Sequence, residues 1–247
     1  MIEGVLILKI FIALFVLAFA VASFCVFFDQ AVFTRRGTVY RADTGQKQVA
    51  LTFDDGPSPV WTPKILDELK KEGIKATFFM IGHHAKEYPD IARRVAQEGH
   101  EIENHGYAHS VLVYYTPEEI EEEIKYTEHV IRDATGRTTK YFRPPKAWLQ
   151  PAIKKKIKAM GYEVVLWSLN SKDWVTFDSK YIARFISRNI SNGDILLFHD
   201  SGGVFSKEGG NRKETVDSIS RLAKKIRQQG FTFVTVEELL HGQRPSE

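Results

Sequence analysis

The sequence contains a small set of polar side chains that can do acid–base and metal chemistry, and each of them lies at the end of a short apolar run. In parallel α/β folds the carboxyl ends of the strands converge on one rim, where loops from separate strands build the active site. The sequence therefore predicts one site on such a rim. Its candidate members are Asp54, Asp55, His105, His109, Arg143, Asn170, Asp173, His199 and Asp200.

Two of these residues, His105 and His109, have a spacing that suits a metal ion. They are four residues apart, so that one helical turn would place both imidazoles on a single face. The pair alone is more typical of structural or exposed histidines. A carboxylate from Asp54 or Asp55 changes that interpretation, because two histidines and one carboxylate leave coordination positions open for water and substrate. We expect a divalent cation here, zinc first, although Co²⁺, Ni²⁺ and Mn²⁺ also fit.

The remaining candidates are suited to proton transfer. One of the adjacent carboxylates, Asp54 and Asp55, can bind a metal ion while the other acts as a general base on water whose pKa the cation lowers. An exposed turn is the alternative for this pair. His199 ends an apolar run and is the candidate general acid, with a buried core histidine as the alternative. Arg143, followed by two prolines, can orient one of the aspartates or form a structural salt bridge.

The elements that must position these residues alternate along the chain: short β-rich runs are followed by longer segments of helical periodicity. This alternation predicts a parallel sheet covered by helices, either an open doubly wound sheet or a closed barrel. Seven such units fit one barrel-like domain. The predicted strands are 48–53, 76–81, 101–104, 140–142, 163–168, 194–198 and 231–236. The predicted helices are 63–72, 85–98, 117–135, 151–160, 179–190 and 214–229.

Two further details of the helices are predicted. Thr62-Pro63 and Thr116-Pro117 are typical of a helix cap followed by a first-turn proline. The acidic run at 121–123 is interspersed with isoleucines, which indicates a solvated helix face rather than a binding patch.

The overall composition excludes several classes of protein. With 43% hydrophobic and 26% charged residues, the 247-residue chain is globular rather than disordered or collagen-like. The net charge of +3, without a concentrated basic stripe, argues against nucleic acid as a partner. Cys25 is the only cysteine, which excludes an intrachain disulfide.

The N-terminal region differs from the average composition of the chain because it contains a long uncharged, apolar run. Residues 10–28 carry no charge over nineteen positions, enough to cross a bilayer core of about 30 Å as a helix. Because bulky Phe27 and Phe28 close the run, we expect an uncleaved anchor rather than a signal peptide. Three arginines follow, and by charge bias alone the C-terminal side would lie in the cytoplasm. The predicted division is an anchor at 1–28, a tether or short hairpin at 29–46, a catalytic domain at 47–241 and a tail at 242–247.

Five ordered motifs resemble those of the polysaccharide deacetylases, carbohydrate esterase family 4. They are TFDDGPS at 52–58, NHGYAH at 104–109, RPP at 143–145, KDW at 172–174 and LLFH at 196–199. The resemblance spans nearly all of the chain after the tether. It implies a distorted seven-stranded (β/α) barrel and metal-dependent removal of acetyl groups from carbohydrate polymers.

The resemblance also implies a role for each residue. Asp54 would be the base, His199 the acid, and Arg143 the residue that orients Asp54. The implied metal ligands are Asp55, His105 and His109. The implied substrate contacts are Trp174 and Leu197 around the acetyl methyl, and Pro145 and Lys146 in the loop whose backbone N–H binds the oxyanion.

Two positions depart from the family pattern. The arginine motif continues as Lys146-Ala147 instead of YG, a change that leaves backbone donation possible. Asn170 stands where many members have an aspartate that supports the catalytic histidine, with Asp173 three residues later. A neutral Asn170 predicts a lowered pKa for His199 and slower protonation of the leaving group.

Taken together, the sequence predicts a membrane-anchored deacetylase outside the cell, acting on N-acetylglucosamine in peptidoglycan or chitin-like oligosaccharide. A non-catalytic glycan-binding protein on the same barrel is one alternative. An O-acetyl esterase acting on xylan or another polymer is the other. The expected partners are the polysaccharide and, through the N-terminal helix, the membrane.

Overall fold

The structure is a computed structural model that describes residues 2–27, 31, 34–202 and 210–242. The chain begins with a helix, α1, at Ile2–Phe27. Over the described part of the chain, no helix is both long enough and apolar enough to cross a membrane. Several residues of the predicted division lie outside the described residues: 1 and 28 of the anchor, 29, 30, 32 and 33 of the tether, 203–209 of the catalytic domain and 243–247 of the tail.

The central feature of the fold is one curled sheet of parallel strands, which confirms the predicted barrel architecture. Seven strands follow the order β5-β4-β3-β2-β1-β7-β6, and β8 pairs with the first half of β1. The strands are β1 Gln48–Asp54, β2 Thr77–Met80, β3 Glu101–Asn104, β4 Tyr141–Phe142, β5 Glu163–Val164, β6 Leu169–Asn170, β7 Ile195–His199 and β8 Thr232–Val234.

In the described part of the chain, eight α-helices follow α1; seven lie between strands, and α9 follows the last strand. They are α2 Trp61–Glu72, α3 Gly82–Glu87, α4 Pro89–Gln97, α5 Pro117–Thr135, α6 Pro151–Ala159, α7 Ser179–Asn189, α8 Lys213–Gln228 and α9 Val236–His241. The predicted cap at Thr116 is confirmed, since its side chain accepts from the N–H of Glu119. Thr62 does not cap α2. Its hydroxyl instead donates to Asp200 at 2.6 Å.

Strand β1 shows how the sequence builds two faces. Side chains alternate across a strand, so Val49, Leu51 and Phe53 enter one apolar core together with α2, α7 and α8. Thr52 and Asp54 point to the opposite face, where both contact Arg143. Because both faces are buried, the strand is an almost continuous apolar run, as parallel strands usually are. This alternation brings Asp54 to the rim.

Two predicted elements differ in the structure. Only the first two residues of the predicted strand 163–168 form a strand, β5, and β6 begins at Leu169, just beyond the predicted end. The carbonyls of Val165 and Leu166, between the two strands, accept hydrogen bonds from Arg143. The predicted helix 85–98 becomes α3 and α4. Tyr88 lies between them with a non-helical backbone, as expected for a residue that precedes a proline.

Candidate active site

The structure brings the predicted residues to one edge of the sheet, at the carboxyl ends of the strands. Asp54 ends β1 and lies in register with His199, which ends β7. His105 directly follows β3, and Arg143 directly follows β4. Asn170 ends β6. The rim predicted from the sequence is therefore present.

Asp55, His105 and His109 form a group of three possible metal ligands whose ligand atoms all lie within 4.8 Å of one another. Asp55 Oδ1 is 3.2 Å from His109 Nε2 and 3.4 Å from His105 Nε2. Burial raises the pKa of Asp55, but the charge of His109 and hydrogen bonds to both histidines outweigh it and hold the pKa well below its usual value. The carboxylate is therefore ionised, as a metal ligand must be.

The tautomer of His105 also fits a metal site. Its Nδ1 lies 2.7 Å from the carbonyl oxygen of Arg143, and since a carbonyl can only accept, Nδ1 carries the proton. Nε2 is then unprotonated in the neutral ring and faces Asp55. A ring whose second nitrogen is fixed by a backbone carbonyl is the usual arrangement of a metal-binding histidine. The three residues therefore have the donor set for a divalent cation such as zinc.

The two histidines come together through a turn rather than the predicted helical turn. His109 has a positive φ of 54°, which a helix does not allow. Glu123 on α5 holds this turn, because its Oε1 accepts the N–H groups of Tyr107 and Ala108 at 2.8 and 3.0 Å. The interpretation of 121–123 as a solvated face is thus wrong for Glu123. Its position inside an acidic run gave no sequence signal for this contact.

Asp54 and Arg143 form a buried ion pair. Arg143 Nη1 donates to Asp54 Oδ1 at 2.6 Å and to the hydroxyl of Thr52 at 2.8 Å. The guanidinium is completely buried and also donates to the carbonyls of Val165 and Leu166. One oxygen of Asp54 is therefore fixed, and Oδ2 lies 3.9 Å from His105 Nε2 on the metal-ligand side.

His199 is paired with Asp173, which corrects the expectation based on Asn170. Asp173 Oδ1 lies 2.7 Å from His199 Nδ1, and Oδ2 accepts the backbone N–H of His199 and the hydroxyl of Thr215. Burial lowers the pKa of His199, but the charge and hydrogen bond of Asp173 outweigh it and raise the pKa to about 9. The predicted lowering is therefore wrong. Asn170 Oδ1 accepts the N–H of Lys172 instead.

The predicted substrate contacts differ in their exposure to solvent. Leu197 is buried in β7, whereas Trp174 is 42% exposed. Pro145 is buried at the start of a short 3₁₀ turn, Pro145–Ala147, and Lys146 is exposed. Within that turn the N–H groups of Ala147 and Trp148 donate to Pro144 and Pro145. The Lys146 amide, the other N–H of the turn, is the candidate oxyanion donor.

Backbone strain is concentrated at this edge. Non-glycine residues rarely adopt positive φ, and such residues cluster at functional sites where surrounding structure holds them. All the non-glycine residues with positive φ in the described part of the chain belong to the loops of the rim. They are Asp55, His109, Lys146, Ala147 and Lys172.

The contacts beneath the Asp54-Asp55 turn were not predicted from the sequence. His84 Nδ1 donates to the carbonyl of Asp55 at 2.7 Å. Asp200 lies against Gly56 so closely that a Cβ there would be 2.0 Å from its Oδ2. Burial raises the pKa of Asp200 to about 7, although a hydrogen bond from Thr62 opposes the shift. No local signal in the sequence shows that a carboxyl group packs against Gly56.

Comparison with known proteins decides the family. The family model described as "Polysaccharide deacetylase" matches residues 41–165, half of the chain. The chain belongs to the polysaccharide deacetylase family. A peptidoglycan-N-acetylglucosamine deacetylase of Bacillus cereus is 35% identical over 207 residues, which cover 81% of this chain and 92% of that protein.

Two more relatives agree with this assignment. The peptidoglycan-N-acetylmuramic acid deacetylase PdaA of Bacillus subtilis is 33% identical, over 81% of this chain and 74% of that protein. The crystal structure of a peptidoglycan N-acetylglucosamine deacetylase bound to 4-naphthalen-1-yl-N-oxidanyl-benzamide superposes with a TM-score of 0.78 at 32% identity. It covers 83% of this chain and 93% of that one. This polysaccharide deacetylase is therefore a hydrolase of N-acetyl amide bonds in polysaccharides.

Proposed function

We propose that this polysaccharide deacetylase removes acetyl groups from N-acetylglucosamine residues of peptidoglycan, with a divalent cation, zinc first, held by Asp55, His105 and His109. The observation that carries the proposal is the arrangement of these three ligands beside Asp54, a carboxylate oriented by Arg143. The names of the relatives support the substrate class. Chitin-like oligosaccharides contain the same sugar, so they can serve as small substrates in an assay.

The cation would supply Lewis-acid polarisation of the acetyl carbonyl and would lower the pKa of water. Asp54 takes the proton from the attacking water on its Oδ2, because Arg143 holds Oδ1 at 2.6 Å. Thr52, Val165 and Leu166 fix the guanidinium from three other directions. The base is thus held in one orientation before substrate binds, which is where much of the rate enhancement of such a site originates.

The departing amine needs a proton, and His199 supplies it. With a pKa raised to about 9, its ring is protonated at neutral pH, and Asp173 accepts from Nδ1. Nε2 is then the atom that donates to the amine. The backbone N–H of Lys146 stabilises the oxyanion, and Leu197 with Trp174 receives the acetyl methyl. Acetate and a free amine are the products.

The N-terminal region is proposed as a membrane anchor that leaves the catalytic domain on the cell-wall side, where peptidoglycan lies. This proposal rests on the uncharged run 10–28 of the sequence, because the described part of the chain contains no helix that meets the length and apolarity of a membrane span. Charge bias in the sequence opposes this orientation, but two of the arginines responsible for it are bound to the barrel. Arg41 forms a salt bridge with Asp194 at 2.7 Å, and Arg35 donates to the carbonyl of Trp167. Their positions are thus explained by folding contacts. Protease accessibility of the domain in intact cells, compared with disrupted cells, tests the orientation.

An acetate-release assay tests the proposed activity. The full-length protein, treated with chelator and reloaded with single metals, is incubated with peptidoglycan, N-acetylglucosamine oligomers and acetylated xylan. Acetate from the glucosamine substrates, lost with chelator and restored by zinc, supports the proposal. Release confined to N-acetylmuramic acid or to xylan esters assigns another substrate, and no release from any of them refutes the proposal.

A further inference from the structure

The residues between the N-terminal helix and the first strand are bound to the barrel at its seam. We use the name N-terminal segment for residues 34–42. Strands β5 and β6 lie at opposite ends of the strand order, yet they follow one another in the chain. Val39 pairs in parallel with Val165, and Arg41 forms a bridge to Asp194 directly before β7. The N-terminal segment therefore contacts the chain directly after the edge strand β5 and directly before β7, the neighbour of the other edge strand, β6.

The contacts of the N-terminal segment concentrate on the connection between β5 and β6. The N–H of Val39 donates to the carbonyl of Val164 at 2.9 Å, and the N–H of Leu166 donates to the carbonyl of Val39 at 2.7 Å. Arg35 Nη2 donates to the carbonyls of Trp167 and Ser168, at 3.2 and 3.4 Å. Residues 164–168 are thus held from outside the barrel by main-chain and guanidinium donors.

The same connection holds Arg143 from the inside. Val165 and Leu166, whose backbones lie against Val39, use their carbonyls to accept from Arg143 Nε and Nη2 at 3.2 and 3.1 Å. Arg143 in turn holds Asp54. Val165 and Leu166 therefore contact Val39 on one side and Arg143 on the other. A shift of the connection would therefore displace two of the acceptors that set the direction of the guanidinium.

We infer that the N-terminal segment is a positioning element of the catalytic centre: it holds residues 164–168 against Arg143 and thereby fixes the orientation of the base Asp54. The segment that joins the proposed anchor to the barrel is then part of the active-site support. This inference rests on the proposed role of Asp54. A small misplacement of a catalytic group costs up to about a hundredfold in rate, and loss of one outer support should cost about tenfold in kcat.

The test uses full-length variants and matched controls. Arg35→Ala removes the two guanidinium contacts, and Val39→Pro removes the N–H that donates to Val164. Arg36→Ala, next in the chain, removes an exposed side chain and keeps the backbone contacts. We expect Arg35→Ala and Val39→Pro to lower kcat about tenfold with KM unchanged, whereas Arg36→Ala matches the wild type. In an Arg143→Lys background, Arg35→Ala should cause little further loss, since both changes act through one guanidinium.

Amide hydrogen exchange gives a second readout that does not depend on activity. Exchange across residues 162–168 and at Arg143 should become severalfold faster in Arg35→Ala and stay unchanged in Arg36→Ala. Unchanged exchange at both places overturns the inference, as does full kcat in both variants or full additivity with Arg143→Lys. If the wild type releases no acetate, the proposed function fails, and the exchange at Arg143 alone decides whether the segment holds the arginine.

Discussion

The charge of Asp173 determines the pH range in which His199 can act as an acid. Asp173→Asn keeps an oxygen that can accept from Nδ1 but removes the negative charge that, with the hydrogen bond, raises the pKa of His199 from 6.5 to about 9. We expect the pKa of the variant to fall towards 6.5. At about pH 8 the protonated fraction would then fall from about 90% to about 3%, a loss of about 30-fold in kcat.

The sign of the pH dependence follows from the role of the acid. A protonated His199 is needed to release the amine, so kcat is retained below its pKa and lost as the pH rises through it. The wild type should keep its activity up to about pH 9. The variant should lose activity above about pH 6.5, and near pH 5.5 the two proteins should differ by less than about twofold.

The assay is kcat for acetate release from an N-acetylglucosamine oligomer, measured from pH 5.5 to pH 9.5 at constant ionic strength. Asn170→Asp is the matched control, because residue 170 accepts from the Lys172 amide and does not pair with the ring. Its profile should follow the wild type. An equal loss at every pH in Asp173→Asn, or a shifted profile in Asn170→Asp, would refute the assignment of Asp173 as the residue that sets the pKa.

Two further substitutions test the turns that carry the metal ligands and the base. Gly56→Ala should reduce the rate of acetate release at least about a hundredfold, because its Cβ would lie 2.0 Å from Asp200 Oδ2. Gly45→Ala is the control: there is open space around Gly45, so the rate should stay unchanged. Glu123→Ala should weaken zinc binding about 10–100-fold in competition with a chromophoric chelator, since Glu123 holds the turn between the histidines. Exposed Glu122→Ala is the control, and equal affinities would contradict this role.

The rim of the site could be predicted because strand periodicity and strand ends are local properties of the sequence. Val49, Leu51 and Phe53 alternate with Thr52 and Asp54, so β1 and the polar residue at its end can be recognised without tertiary information. The same reasoning placed His199 at the end of β7. The family motifs then added roles that spacing alone left open, above all the choice between Asp54 and Asp55.

The parts that could not be predicted depend on contacts between distant residues. Which of Asn170 and Asp173 faces His199 is set by the path of the loop after β6. The predicted strand 163–168 ends after Val164, and the carbonyls of the next two residues bind Arg143, which comes from another loop. Glu123 reads as one of several acidic residues on the surface of a helix, and it contacts Tyr107 and Ala108 only when the turn between His105 and His109 packs on α5. Patterns of period 2 or 3.6 contain none of this information.

The most direct test of the central claim is the stoichiometry of acetate and free amine produced from an N-acetylglucosamine oligomer by the zinc-loaded full-length protein and by Asp54→Asn. We expect one free amine for each acetate in the wild type. In the variant we expect a fall of at least about a hundredfold, with zinc still bound by Asp55, His105 and His109. Acetate release that persists at the wild-type rate in Asp54→Asn, or none in the zinc-loaded wild type, would contradict the role of Asp54 as the base of a zinc-dependent deacetylase.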